Sequence, residues 1–484
     1  MNYQSFKVSR LILAVQIFVV SLLAACGGGG GGGNNTSSFN TATSSSSSLV
    51  SSSSSSAITF SSPTILPEGF PSGTTETLPV LSITTENAAM VTEKETYING
   101  SYVLTDGGST TEGTLEIRGR GNSTWDWPKK PYRLKLTEAT ELLKMPSSKH
   151  WVLLANYADK TLMRNDVAFM WSQQLGMEYT SRAKYVEVKF NGSYEGVYQL
   201  VEHLRVANDR VNIPDLKVTD TASEKISGGY LLEVDFRHHV DFCKGITYAA
   251  AECVGEVNIS RDEDYCIDST HGMNPFCVDT PGDLLDNAWL PMRDYITQYI
   301  TDTEAALFSD NFADPSTGYA AYIDVDSAVN YYLINELFKN VDGAVASFYL
   351  YKKRDGKLFF GPIWDFDLAL GNAGYDDVDK TYGWHIRNAT WFARLFEDPA
   401  FVTKVKSRWL ALKTEGKIGL IFDYAQARAV WLNTVQQKNF QKWPIFDWVT
   451  WYTRINMGSY TGEVNEMIRW QRERAVWIDS QLSQ

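Results

Sequence analysis

The segment from Asn340 to Gly371 constrains the fold more than any other part of this 484-residue chain. Asp355-Gly356 is typical of a two-residue hairpin turn, and the runs on both sides of it are rich in aromatic and apolar residues. With that turn, Ser347 faces Trp364 across the two strands. The hairpin would therefore bring together groups that lie just outside its two ends.

Polar side chains stand at these ends. Asp342 precedes the hairpin, Ser347 lies at its start, and Asp365 follows its end. Asp367 shares a face with Asp365 if that segment is extended. Protein kinases use this order of groups to hold magnesium and a substrate hydroxyl, because hard cations prefer oxygen ligands. The alternative is an ordinary surface hairpin with solvated acids.

The first residues carry an export signal. A basic start precedes an apolar run, residues 11–25, which is too short to span a bilayer and ends in Leu-Ala-Ala-Cys26. This motif resembles the bacterial lipoprotein signal, so residues 1–25 are predicted to be removed and Cys26 to be lipidated. The glycine after Cys26 favours, by the same resemblance, the outer membrane or cell surface. Residues 26–77, which begin as a Gly/Ser-rich stretch, are predicted to be a disordered tether.

Composition limits the partners of the remaining body. Roughly 420 residues suffice for one large two-lobed domain or two small ones. A net charge of -13 without a basic block argues against nucleic acid. An exported chain with four cysteines in an insert at about residues 236–283 most simply forms two disulfides, with zinc as the alternative. These cysteines are Cys243, Cys253, Cys266 and Cys277.

The pattern of the body changes along the chain. Residues 78–205 alternate as strands do, with a helix predicted over Thr161–Leu175 that Asp159 would cap and Gly176 would end. Residues 206–484 are mainly helical in period. Predicted strands are 80–83, 96–98, 113–117, 132–136, 185–190 and 196–200; predicted helices in the second part are 289–308, 327–338 (capped by Asp326), 391–396, 401–412, 424–437 and 463–482.

Several blocks resemble one known family, the spore-coat-protein-H-like (CotH) kinases. They occur in family order between about residues 80 and 410, which makes the set more specific than any single block. The blocks are Arg118-Gly119-Arg120-Gly121-Asn122-Ser123-Thr124-Trp125, Lys130-Pro131-Tyr132-Arg133, Leu153 to Thr161 with Arg164-Asn165, Asn191 to Tyr198 with Glu202, Gly228 to Glu233, and Trp364-Asp365-Phe366-Asp367.

The resemblance implies an α+β, two-lobed atypical protein-kinase-like fold, with a sheet-rich N-terminal lobe, a mainly helical C-terminal lobe, and ATP and Mg2+ as ligands. Asp342 matches the catalytic aspartate of the family, and Asp365 matches its metal-binding aspartate. Asp367 is the substitute if the ligand is misassigned. Ser347 departs from the family, in which an Asn commonly supplies an amide oxygen to a second metal, so a two-metal site is in doubt.

The turn Gly119-Arg120-Gly121-Asn122 follows a predicted strand and could present backbone N–H groups to phosphates, although a plain hairpin corner is the alternative. Lys130, Arg133 and Lys135 follow it. One of these should pair with phosphate oxygens, and Lys135 is favoured as the catalytic lysine.

Other residues complete the expected nucleotide site. Asp166 is the acid in the 161–175 helix that could pair with a lysine, or it is a solvated surface residue. Arg164 binds phosphate or braces that helix. Glu202 follows the last strand of the first half, where a kinase hinge contacts adenine, or it is structural.

Two classes of function follow. The first is a surface-tethered kinase that phosphorylates Ser/Thr hydroxyls of exported proteins, or its own Ser-rich run at 44–56. The second is a catalytically weak or inactive structural or adhesin-type envelope protein, which the scarcity of ATP outside the cytoplasm favours. The membrane is a partner through the lipid, and a surface glycan or host partner stays open. Neither a Ser-His-Asp hydrolase nor a glycosidase is supported.

Overall fold

A closed barrel of seven strands forms the first part of the structure, a computed structural model that describes residues 58–236, 264–449, 453–454 and 456–483. Neighbouring strands are antiparallel except β1 and β6, whose parallel pairing closes the barrel in the order β1-β2-β3-β4-β5-β7-β6. The strands are β1 (Val80–Thr85), β2 (Ile98–Asp106), β3 (Ser109–Gly119), β4 (Tyr132–Leu142), β5 (Met145–Leu154), β6 (Ala183–Phe190) and β7 (Ser193–Glu202).

Buried apolar residues, which alternate with more exposed ones along several strands, fill the barrel. Leu81 and Ile83 on β1 and Leu115 and Ile117 on β3 are buried, as are matching positions on the other strands. Asn191-Gly192 joins β6 to β7 with φ of +48° and +82°, as predicted for this dipeptide. The sequence located most of these strands but predicted them too short, and it did not predict that the sheet closes.

The second part of the described chain is mostly helical and contains a five-stranded sheet of order β12-β11-β8-β10-β9. Its strands are β8 (Tyr230–Val234), β9 (Tyr265–Ile267), β10 (Phe276–Thr280), β11 (Phe348–Lys352) and β12 (Leu358–Phe360). The helices of the described chain are α1 (Ser123–Asp126), α2 (Arg164–Gln174), α3 (Ser223–Ile226), α4 (Leu290–Leu307), α5 (Tyr319–Tyr322), α6 (Val325–Phe338), α7 (Thr390–Leu395), α8 (Pro399–Thr414), α9 (Lys417–Leu432), α10 (Val435–Lys442) and α11 (Tyr460–Leu482).

The hairpin of β11 and β12 exists, but its predicted register is wrong by one residue. Tyr351 pairs with Phe359 and Lys352 with Leu358, so the five residues 353–357 lie between the last paired positions, in place of the predicted two-residue Asp355-Gly356 turn. Asp355 has φ of +48°, a left-handed conformation that Asp tolerates better than most residues. The pairing ends early, and the chain beyond β12 leaves the sheet before it reaches Asp365.

Most of the predicted helix boundaries lie within three residues of the observed ones, but some predictions need correction. The side chain of Asp324, rather than that of Asp326, caps α6 by accepting the Ser327 N–H at 2.8 Å. The predicted 424–437 helix is divided between α9 and α10. α2 begins at Arg164, three residues later than predicted, and Met163 rather than Asp159 is its N-cap residue. Asp159 still accepts the Arg164 N–H at 2.8 Å, and Gly176, with φ of +75°, follows the end of the helix as predicted.

Residues 58–77 differ from the expected disordered tether. Phe60 packs against Phe422 and Phe70 against Tyr424, both on α9. The Thr75 N–H also donates to the Trp431 carbonyl at 3.0 Å. The aromatic residues among the polar ones explain why this segment folds against the body. The signal peptide, Cys26 and the Ser-rich run lie outside the described residues.

One of the two expected disulfides lies within the described residues, and its pairing could not be predicted. Cys266 on β9 and Cys277 on β10 form a disulfide between adjacent strands. Cys243 and Cys253 lie outside the described residues. None of the helices in the described ranges is long and apolar enough to cross a membrane.

Candidate active site

Two adjoining cavities lie between one end of the barrel and the five-stranded sheet. The first, here called the acidic cavity, has a volume of about 360 Å³. Its walls come from the chain after β3, the chain after β5, strand β8 and the segments on both sides of the β11–β12 hairpin. The polar groups that line it include Arg120, Asn122, Asn156, Asn165, Glu233, Asp235, Asp342, Ser347, Asp365 and Asp367.

The four residues predicted at the hairpin ends meet in the acidic cavity. The Asp342 carbonyl accepts the N–H groups of Val345 at 3.0 Å and Ala346 at 2.9 Å, which turns the chain towards β11. Ser347 and Asp365 have φ of +48° and +62°. Such left-handed conformations are uncommon for residues other than glycine, and they cluster at functional sites.

Buried side chains hold the segment that contains Asp365 and Asp367. Asn165 on α2 accepts the Phe366 N–H at 2.8 Å. Asn372 donates to the Asp367 carbonyl at 2.8 Å, and Arg164 donates through Nε to the Ala369 carbonyl at 3.0 Å. The bonds of Asn165 and Arg164 connect the segment beyond the hairpin to the start of α2.

The acidic cavity concentrates negative charge. Five carboxylates line it, whereas Arg120 is the cationic side chain among its described lining residues. Burial raises the pKa of Asp367 well above its ordinary value, and the neighbouring Asp365, Asp159 and Asp342 carboxylates raise it further. A divalent cation would relieve this repulsion, so the donor set fits a hard metal ion.

The metal would not be held by protein alone. In the described ranges, no group of three or more His, Cys, Asp or Glu side chains is arranged to hold a metal ion. Mg2+ commonly takes one or two carboxylates and completes its shell with phosphate and water.

The second cavity, here called the basic cavity, has a volume of about 300 Å³ and shares a wall with the acidic cavity. The shared wall contains Arg120, Gly121, Asn122, Glu233, Tyr349 and Trp364. Lys94, Arg118 and Arg133 add positive charge to the basic cavity, and Glu95 and Asp279 add negative charge.

The glycine-rich turn lies where a phosphate-binding turn would be needed. Arg120, Gly121 and Asn122 line both cavities, and the Arg120 guanidinium lies 5.7 Å from the centre of the Trp364 ring. Gly119 lies behind them. A Cβ atom at Gly119 would lie 2.6 Å from the Trp125 ring, so only glycine fits there.

Lys135 does not line either cavity. It is exposed on β4 and pairs with Glu116 on β3 at 2.7 Å. Lys130 donates to the Trp125 carbonyl and also lies outside both cavities. Arg133 reaches the basic cavity because it lies nearer that end of β4, whereas Lys135 lies two residues further along the strand.

The structure assigns the other expected nucleotide-site residues to structural contacts. Asp166 accepts from Arg428 Nε at 2.8 Å and from the Tyr424 hydroxyl at 3.0 Å, so it is neither solvated nor paired with a lysine. Arg164 pairs with Asp159 and braces α2.

Glu202 is also structural. It is buried and bound by Arg182 at 2.8 Å and by Arg210 at 3.2 Å. The next residues, His203 and Leu204, line the basic cavity instead.

Sequence reasoning gave no role to some residues that line the acidic cavity. Glu233 and Asp235 lie at the end of β8, where Glu233 is opposite Tyr349 in the sheet. Asn165 lies on α2. Glu233 and Asn165 belong to blocks of the family resemblance, but the sequence does not show that β8 pairs with β11.

Comparison with known proteins decides the family. The sequence model described as CotH kinase protein matches residues 117–478, about three quarters of the chain. The chain belongs to the CotH kinase family. The members of this family are atypical protein kinases, so this CotH chain is a kinase-family enzyme with a kinase-like fold. Family membership also implies that ATP is the phosphate donor. A comparison with curated proteins found no match. Strands β1 and β2 precede the matched residues and close the CotH barrel.

Proposed function

We propose that this CotH protein transfers the γ-phosphoryl group of ATP to Ser or Thr hydroxyls of exported proteins. The observation that supports this most is the convergence of Asp342 and Asp365 on one cavity from the two ends of a hairpin. The same cavity is bounded by the turn formed by Arg120, Gly121 and Asn122. Phosphoryl transfer needs mainly charge neutralisation and a positioned hydroxyl. Arg120 and a metal ion held by the carboxylates would supply the first, and Asp342 would supply the second.

Asp342 is proposed to orient the acceptor hydroxyl and take its proton. The hydroxyl oxygen forms a new bond to the γ-phosphorus, and the bond from that phosphorus to the oxygen bridging the β-phosphate breaks. ADP leaves with the bonding electron pair, and the proton resides on Asp342. Arg120 and the backbone N–H groups of the turn would hold the phosphate oxygens during the transfer.

Asp365 is the proposed ligand for Mg2+, with Ser347 and Asp367 as further oxygen donors. When bound, Mg2+ would neutralise charge on the phosphates. A serine hydroxyl is a weaker ligand than the amide that commonly stands at this position, which favours a single strongly held ion.

A second function is supported by the partners of Lys135 and Asp166. Lys135 pairs with Glu116, and Asp166 pairs with Arg428, so the pair expected from typical kinases does not form between these residues. A catalytically weak envelope or adhesin-type protein could retain the same fold without this pair. The carboxylates retained in the acidic cavity favour the enzyme.

We also propose that Cys26 carries the lipid and anchors the protein to the outer membrane or cell surface, which would place exported proteins within its reach. Radiolabelled fatty acid incorporated by the parent chain and not by Cys26→Ser would support this. Equal labelling of both would contradict it.

The transfer is tested by incubating the purified chain with ATP, Mg2+ and exported proteins, and then measuring mass gains of one phosphate on Ser or Thr. The Asp365→Asn variant should lose the gains. Asp326→Asn is the control, because this exposed carboxylate pairs with Lys404 away from both cavities. Equal phosphorylation by the parent and Asp365→Asn, or none by the parent, would contradict the proposal.

A further inference from the structure

The basic cavity carries positive charge that the proposed transfer does not use. Arg118 and Arg133 line it together with Arg120 and Lys94. The buried Nε atom of Arg133 has no hydrogen-bond partner among the described residues, and the same holds for Nε of Arg118. A buried guanidinium donor without a partner is costly, and an anionic ligand would satisfy it.

The charges around the basic cavity also favour an anionic ligand. Burial lowers the pKa of Arg133; Tyr97 and Asp279 raise it in part, whereas the guanidinium groups of Arg118 and Arg120 lower it. Burial also lowers the pKa of His203 on the same wall, with Arg133 next in effect. The carboxylates of Glu95, Glu233 and Asp279 line the cavity too, yet the arginines still repel one another.

The position of the cavity limits what the anion could be. Arg120, Gly121, Asn122 and Glu233 separate it from the acidic cavity, in which the donor phosphates and the acceptor hydroxyl are proposed to meet. An extended peptide advances about 3.3 Å per residue, so one acceptor segment could reach both cavities within a few residues.

We propose that the basic cavity binds a phosphate group already present on the acceptor, so that one phosphoserine directs transfer to a nearby serine. This inference rests on the proposed function. Arginine suits the ligand because its planar fork binds phosphate oxygens in pairs. The chain itself contains candidate acceptor segments of this kind, the serine runs 44–48 and 51–56. A phosphoserine in either run would have another serine next to it.

Synthetic serine peptides test this with the full-length protein. One set is unmodified, and another carries a single phosphoserine at each of the positions two to six residues from the acceptor. The parent should show roughly tenfold higher kcat/KM for at least one phosphopeptide, which corresponds to one or two charge-assisted hydrogen bonds. In Arg133→Gln and in Arg118→Gln, the ratio between phosphopeptide and plain peptide should fall towards one.

Lys149→Gln is the matched control, because this exposed lysine lies on β5 away from both cavities and its change also removes one positive charge. It should keep the preference. No preference in the parent, or a preference that survives both arginine changes, would overturn the inference. A rise in KM for ATP in both arginine variants, with the peptide ratio unchanged, would also overturn it by assigning the cavity to the nucleotide.

A binding measurement separates this inference from the proposed function. Calorimetry with the Asp342→Asn variant and no ATP should show tighter binding of the preferred phosphopeptide than of the plain peptide. Equal binding would contradict the phosphate site. Tighter phosphopeptide binding without any transfer by the parent would contradict the kinase proposal alone. Thermal unfolding of the arginine variants checks that each remains folded.

Discussion

The Asn165 side chain on α2 accepts the backbone N–H of Phe366 at 2.8 Å, across 201 positions of sequence. Phe366 lies between Asp365 and Asp367, so this bond sets the path of the segment that carries both carboxylates. Asn165 is 3% exposed and also contacts Asn156 Oδ1 at 3.4 Å. The position of the acids therefore depends on the barrel-side helix as well as on the hairpin.

Replacement of Asn165 by Ala should reduce stability and activity together. The buried Phe366 N–H would lose its acceptor, which costs about 1–3 kcal/mol in the free energy of unfolding. A displacement of Asp365 of about 1 Å can lower kcat by roughly 100-fold. Denaturant unfolding and steady-state kinetics measure the two effects. Asn99→Ala, at an exposed asparagine on β2, should change the free energy of unfolding by no more than about 0.5 kcal/mol.

Gly119→Ala should disturb the turn before Arg120. The new Cβ would lie 2.6 Å from the Trp125 ring and 2.7 Å from the Glu93 carbonyl oxygen, so the turn must shift at a cost of about 1–3 kcal/mol. Thermal unfolding should show the loss, and KM for ATP should rise. Gly282→Ala is the control, because its Cβ would approach no atom nearer than 3.7 Å. Equal stability of the two variants would contradict the packing argument.

Arg120→Gln should raise KM for ATP by about tenfold, since a charge-assisted bond to phosphate is lost. Lys135→Gln should change KM for ATP by less than about twofold, because Lys135 pairs with Glu116 and lines neither cavity. Initial rates at varied ATP concentration distinguish the two. A larger rise in KM for ATP from Lys135→Gln than from Arg120→Gln would contradict this account and support Lys135 as the catalytic lysine, as the sequence favoured.

Stability should fall in acid partly because of His150. Burial, followed by the positive charge of Arg205 and other basic neighbours, lowers its pKa to about 4. The unfolded chain takes up this proton near pH 6.5, so the stabilisation is complete above that pH and is lost as pH falls towards 4. Because solvent screens this half-buried group, the effect on the free energy of unfolding should be on the order of 1–2 kcal/mol. Denaturant unfolding between pH 4 and 7 should show a shallower loss for His150→Gln, and an unchanged pH profile would contradict this account.

The sequence predicted local structure well where one signal decides it. Asn191-Gly192 needs positive φ at both positions, and Gly176, just beyond the end of α2, has the positive φ expected there. The barrel could not be predicted, because its closure requires the parallel pairing of β1 with β6 across about 100 residues. Such long-range pairing leaves no local pattern in either strand.

In the candidate site, too, the sequence predicted what local signals decide and missed what depends on long-range pairing. Asp342 and Asp365 were predicted from the hairpin even though its register was wrong by one, since both lie beyond the paired residues. Lys135 was misplaced because strand alternation gives the face of a side chain but not its distance from the cleft. Glu233 was given no role because only the pairing of β8 with β11 brings it to the cavity.

The central claim is that Asp342 and Asp365 have different roles in one phosphoryl transfer. The most direct measurement compares Mg2+-dependent ATP binding and single-turnover phosphate transfer in the parent, Asp342→Asn and Asp365→Asn. We expect Asp342→Asn to bind ATP with Mg2+ as the parent does while transferring phosphate at least roughly 100-fold more slowly. We expect Asp365→Asn to lose the Mg2+-dependent part of binding as well as transfer. Transfer at the parent rate by either variant would contradict the account.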